Sequence, residues 1–169
     1  MREALSRLEE QGLIKTHRFK GAVVVGLSAD EASEIFDLRA LLEPEILRGA
    51  VPQMTDATKQ TAIIRCNDFS NSSDPLAWGG LNRIFHDTLY ADSSQTFTRE
   101  VADKAMDRVD RYIRAVLLEG NGMQRAKSEH LAILEACLSG NADLAADLLR
   151  EHILGAKKTL LASFPTLSK

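Results

Sequence analysis

Two helix-period segments late in the chain each carry a histidine on their apolar side, and they flank a single break. From Met123 to Leu138, the residues Ala126, His130, Ile133 and Cys137 recur at three- and four-residue steps, which is one face of a helix. Beyond the break, Ala145, Leu148, Leu149, His152 and Ala156 form a second stripe of the same period. Gly140-Asn141 between them has the chemistry of a helix stop followed by an N-cap. A connection this short makes the two helices pack antiparallel. His130 lies ten residues before Gly140 and His152 eleven after Asn141. At about 1.5 Å of rise per residue, the two imidazoles sit at matching heights on facing helices.

Upstream, Asn82 and His86 stand at i and i+4 on one face of another helical segment, Leu76 to about Tyr90. These residues and the late pair use three of the chain's four histidines. Asn82, His86, His130 and His152 together have the donors of one divalent metal site, with zinc or nickel the ions best suited to imidazole. A lone inward histidine is usually a hydrogen-bonded core residue, and on spacing alone both readings stay open.

Composition bounds the alternatives. A chain of 169 residues with 44% hydrophobic and 27% charged side chains has the makeup of an ordinary globular protein. No apolar run approaches the about 20 residues that span a bilayer, and no N-terminal secretion signal is present, so a cytoplasmic protein without membrane contact is expected. Cys66 and Cys137 lack CxxC spacing and read as reduced, buried small hydrophobes. The net charge of −3 is uneven: residues 1–27 hold five basic and three acidic side chains, a net +2, which leaves −5 on the remainder. A basic head on an acidic body fits a DNA-contacting end attached to a domain with another task.

That head has a recognisable order. Met1 to Gln11 reads as a helix with Ala4, Leu5 and Leu8 on its apolar face, stopped by Gly12. Leu13 to Thr16 and Ala22 to Val25 read as strands, joined by the basic turn His17 to Gly21. The stretch REALSRLEEQGLIKTHRFKGAVV resembles the recognition helix and wing of GntR-superfamily regulators. The resemblance implies DNA contacts by Arg2, Ser6 and Arg7, and a wing tip at Lys20 and Gly21. The family's first two helices, which support the recognition helix, do not precede it here. The chain as it stands is therefore expected to bind operator DNA weakly or not at all.

Ser28 followed by Glu31 is a capping-box signature and opens a helix to about Ala50, with a kink or break expected at Pro44. Ile35, Leu38, Leu42 and Ile46 are its expected buried stripe. Arg39 is either half of a surface pair with Glu43 or an anion anchor at a bundle cavity. Further helices are expected over Thr55–Ser70 and Phe97–Leu118. In the latter, Asp103, Asp107 and Asp110 alternate with Arg108, Arg111 and Arg114, as on a salt-bridged solvent face or a dimer contact.

The stretches EIFDLRALLEPEILRGAV, NRIFHDTLY, SEHLAILEACLSGNADLA and LLREHI are similar to the FCD-type effector domain of the FadR subgroup. That likeness implies a divalent metal on Asn82, His86, His130 and His152, with Asn82 departing from the more frequent Asp. Manganese joins zinc and nickel as a candidate ion. The expected architecture is mainly α: an antiparallel helical bundle over residues 28–164, a partial winged helix with a short hairpin wing over 1–27, and a tail at 165–169. The expected function is a metabolite-responsive, DNA-binding transcription regulator and homodimer. Operator DNA and a small carboxylate would be its partners, the latter at the metal and Arg39. A metal-dependent hydrolase and a metal-free helical interaction module are the alternatives. The sequence offers the hydrolase no placed general base, because Asp87 and Glu129 point away from their adjacent histidines on a helix.

Overall fold

The computed structural model describes residue 5 and residues 14–17, 21–24, 28–118 and 120–167. Ahead of the bundle lie two short strands among the described residues, β1 (Ile14–His17) and β2 (Gly21–Val24). They pair antiparallel, with Ile14 opposite Val24 and His17 opposite Gly21. His17, expected in the turn, belongs to the ladder instead. Gly21 closes the ladder at φ +80°, a backbone conformation that costs glycine little. The DNA-contact expectations for Arg2, Ser6, Arg7 and Lys20 fall outside the described residues.

Among the described residues, six α-helices and one 3-10 turn follow: α1 (Ala29–Ala50), the turn Val51–Gln53, α2 (Asp56–Asn71), α3 (Trp78–Leu89), α4 (Thr96–Leu118), α5 (Gly122–Leu138) and α6 (Ala142–Leu167). Helix α1 begins as its capping signature requires, with the Ser28 hydroxyl accepting the Glu31 amide at 3.0 Å. It passes through Pro44 without ending. Helix α6 likewise continues through Pro165 to Leu167, into the stretch assigned to a tail. Each proline costs its helix one backbone donor without ending it.

The α5–α6 corner is a Schellman motif. The Gly140 amide donates to the Cys137 carbonyl at 3.0 Å and the Asn141 amide to Ala136 at 2.9 Å. Gly140 sits at φ +74°, and the Asn141 side chain then accepts the Leu144 amide at 3.2 Å to start α6. Helix α1 packs mainly on α6 and α4, α5 on α6, and α2 on α3 and α5. The core they enclose includes Phe36, Phe69, Phe85, Ile133, Leu149 and Leu160. At the α4–α5 corner, a Cβ on Gly122 would collide with the Val116 carbonyl, so glycine is required there.

One expected face is rotated. Leu38 is 39% exposed, whereas Ala32, Phe36, Arg39, Ala40, Glu43 and Leu47 are buried. Reading α1 by its large apolar residues misplaces its inner side, because that side includes two charged residues which pair with each other. The other faces fall where the periodicity places them, with Ala62, Cys66, Ala126, Ile133, Cys137, Ala145 and Leu149 all buried. Both cysteines are free, and burial pushes the Cys137 thiol up to about 12. Of the charge run on α4, Asp103 and Asp107 pair with Arg83 of α3 at 3.5 and 3.0 Å, and Arg108 pairs with Glu31 of α1. These contacts tie helices of the same chain. Among the described residues no helix is long and apolar enough to cross a membrane.

Candidate metal centre

Helices α3, α5 and α6 each deliver one imidazole to the interior. His86 and His130 are 0% exposed and His152 8%. The ring centroids are 5.1 Å apart for His86–His130, 5.3 Å for His86–His152 and 4.9 Å for His130–His152. One ring nitrogen from each lies within 4.8 Å of the others. Two zinc–nitrogen bonds of about 2.1 Å reach at most about 4.2 Å end to end. Side-chain rotations that close this gap would bring the three donors onto one ion.

The hydrogen bonding of these rings decides whether an ion fits. Nε2 of His86 and both nitrogens of His130 are buried without a hydrogen-bond partner. His130 is flanked instead by the rings of Phe69 and Phe85, at 4.6 and 4.5 Å between centroids. Buried polar atoms left unpaired cost free energy, and a concentration of three in one place calls for an explanation. Burial, and then the neighbouring histidines, hold His86 and His130 well below the ordinary imidazole value of 6.5. Neutral imidazoles with free lone pairs are the ligand form. The three-histidine group can hold a metal ion.

The outer nitrogens are tethered. His152 Nδ1 lies 2.7 Å from Glu129 Oε2, which leaves Nε2 of that ring for the centre. Glu129 does point away from its neighbour His130, as expected, but it reaches across to the next helix. Sequence spacing gave no signal for that contact, because the partners are 23 residues apart. Arg125 adds an ion pair to Glu129 at 3.4 Å. On the other side, His86 Nδ1 lies 3.3 Å from the Tyr90 hydroxyl, which donates to Glu43 Oε2 at 2.8 Å. Tyr90 escaped the sequence reading, although its i, i+4 relation to His86 was a usable signal.

Arg39 is 2% exposed and Glu43 1%, and they bond at 2.5 and 3.4 Å. The surface-pair alternative is therefore corrected: the pair is interior, because α1 turns this face to the bundle. Arg39 Nη1 is buried and unpartnered. Arg39, Asn82, Arg125, Glu129 and His152 line one cavity with about 20 Å³ open to the centre of a water molecule, room for about one water. Asn82, 4% exposed and one turn before His86, lines this cavity with His152 and Arg39.

The comparisons with known proteins agree with this architecture. The family model described as FCD domain matches residues 34–155. An HTH-type transcriptional regulator, BphR, of Paraburkholderia xenovorans is 28% identical over 163 residues, 90% of this chain and 66% of its own length. The HTH-type transcriptional repressor GlaR of Escherichia coli is 24% identical, over 91% of this chain and 75% of its own. The crystal structure of a GntR-family transcriptional regulator from Pseudomonas syringae superposes with a TM-score of 0.73 at 25% identity, covering 98% of this chain and 70% of that one. Escherichia coli McbR/YncC superposes at 0.86 with 17% identity, over 96% and 84%, a likeness of fold. The helical bundle thus defines a class, the FCD-like bundles found in transcriptional regulators. The chain belongs to the GntR family of transcriptional regulators with an FCD domain, in the FadR subgroup. The relatives are transcriptional regulators and not enzymes, which sets the hydrolase alternative aside.

Proposed function

We propose that the bundle is the sensing half of a DNA-binding regulator, with a divalent metal on Asn82, His86, His130 and His152 and a small carboxylate as effector. The observation that supports this most is the trio of buried imidazoles with three unpartnered nitrogens. Zinc or nickel suits the donor set best, with manganese a poorer match to imidazole. Such an ion supplies a Lewis-acidic positive charge that a carboxylate oxygen can share. Asn82 contributes a neutral carbonyl oxygen where an Asp would bring a negative charge. Three imidazoles and an amide leave the ion's charge uncompensated, which favours an anionic effector. The buried, unpartnered Nη1 of Arg39 on the cavity wall supports a contact there with the effector's other oxygen, once the cavity widens beyond its one-water volume.

The domain boundary falls near residue 27. We assign the operator contacts within residues 1–27 to Arg2, Ser6, Arg7, Lys20 and Gly21. The paired strands β1 and β2 and the positive φ of Gly21 support the hairpin part of this reading. The regulator acts in the cytoplasm as a homodimer on operators with two half-sites. Effector binding shifts the helices only so far as it differs between the DNA-bound and free arrangements.

Elemental analysis and metal titration of the purified chain test the reading. We expect one divalent ion per chain, lost in the variant with all three histidines replaced by alanine. Asn82→Asp should retain the ion more tightly and respond less to added carboxylate. Metal-free protein that ignores added zinc and nickel would overturn the proposal, as would an Asn82→Asp variant with unchanged or weakened affinity.

A further inference from the structure

Tyr90 caps the end of α3 and is 4% exposed, with its hydroxyl between the His86 imidazole and a buried carboxylate. Its two contacts fix the direction of both hydrogen bonds. A phenol has one proton. Glu43 is held by Arg39 at 2.5 and 3.4 Å, and as a carboxylate it can only accept from Tyr90 at 2.8 Å. The tyrosine proton is then committed to Glu43. What remains for His86 at 3.3 Å is a phenolic lone pair, so Nδ1 of His86 must carry the ring proton and donate. The opposite assignment would put the tyrosine oxygen against Glu43 with no proton between them, in a buried place where such a clash is expensive. The ring's lone pair therefore sits on Nε2, the atom left without a partner toward His130 and His152.

We propose that Tyr90 and Glu43 are positioning residues of the metal centre, forming a buried relay from His86 through Tyr90 and Glu43 to Arg39. The relay locks His86 in its ligating tautomer and ties the centre to α1. This rests on the metal reading above and deepens it. His152 is tethered to a carboxylate directly, at 2.7 Å from Glu129, whereas His86 reaches its carboxylate through one intervening hydroxyl. The relay ends on an arginine that lines the ligand cavity. It also enters α1, the helix that carries both Glu43 and Arg39. A change of partner at Arg39 is thereby felt at His86, and the reverse.

The test uses the full chain and two readouts. Zinc and nickel affinities are measured by competition with a chromophoric chelator, with circular dichroism on each variant. Tyr90→Phe keeps the ring and removes the hydroxyl, and we expect about a 10- to 100-fold loss of affinity, the usual cost of an outer-shell partner. Glu43→Gln should weaken binding through the same route, so the double variant should lose no more than Tyr90→Phe alone. Imidazole nitrogen chemical shifts of the metal-free wild type should show His86 protonated at Nδ1 and bare at Nε2. That measurement needs no variant, so it decides the matter if a substitution unfolds the chain. A His86 proton on Nε2 would overturn the relay, as would a Tyr90→Phe affinity within twofold of wild type. A wild-type chain that binds neither ion would overturn the relay and the metal reading together, whereas unchanged binding in Tyr90→Phe would overturn the relay alone.

Discussion

Arg39–Glu43 on α1 and Arg83–Asp87 on α3 are the same motif in sequence, an arginine four residues before an acid. In the fold they part company. The first pair has side chains 3% and 1% exposed and bonds at 2.5 Å, while the second has side chains 21% and 45% exposed and bonds at 3.1 Å. The inner arginine has one acid, an unpaired nitrogen and a cavity beside it. The outer arginine is shared among Asp87, Asp103 and Asp107, so losing one acid leaves it two. A charge pair in the interior is costly to desolvate and is kept where it specifies something, whereas a solvated network mainly joins two helices.

The contrast predicts a graded set of outcomes. Glu43→Ala leaves the Arg39 cation buried and unpaired, and should cost about 3–5 kcal/mol in denaturant unfolding. A loss near that of an exposed pair would erase the distinction drawn here. Next in size is the ion itself. At a free metal concentration about a hundred times Kd, binding should stabilise the wild-type fold by about 2.7 kcal/mol. Thermal melts with and without chelator should show this increment intact in Asp87→Ala and reduced in Glu43→Gln.

Acid should reach the interior side first. His86 and His130 are held well below 6.5 by burial, so the unfolded chain takes up protons below that pH while the folded chain does not. Stability of the metal-free protein is then complete above 6.5 and falls as the pH drops beneath it. The slope approaches about 1.4 kcal/mol per pH unit for each imidazole. Unfolding curves at about pH 7.5 and about pH 5.5 check the sign, and equal midpoints would mean that the rings are protonated in the fold. The smallest effect belongs to Asp87→Ala, under about 1 kcal/mol and reduced further by salt.

Much of this protein was legible as a pattern. Period and punctuation sufficed for α5 and α6, because a glycine at φ +74° and an asparagine N-cap act on their own neighbours. The inward placement of His130 and His152 followed in the same way, since each rides on an apolar stripe. Other features were out of reach. The inner face of α1 was misread because Arg39 and Glu43 look like surface residues until a cavity and a tyrosine are set against them. Glu129 looked idle because its partner, His152, belongs to another helix.

The amino-acid order by itself therefore determined the helices, the α5–α6 corner and which histidines turn inward, since these depend on contacts within a few residues along the chain. Tertiary structure alone decided which carboxylate holds which imidazole, and so which ring nitrogen stays free. Those bonds join side chains that the packing of separate helices brings together, and such pairings leave no period in the sequence for a reader to find.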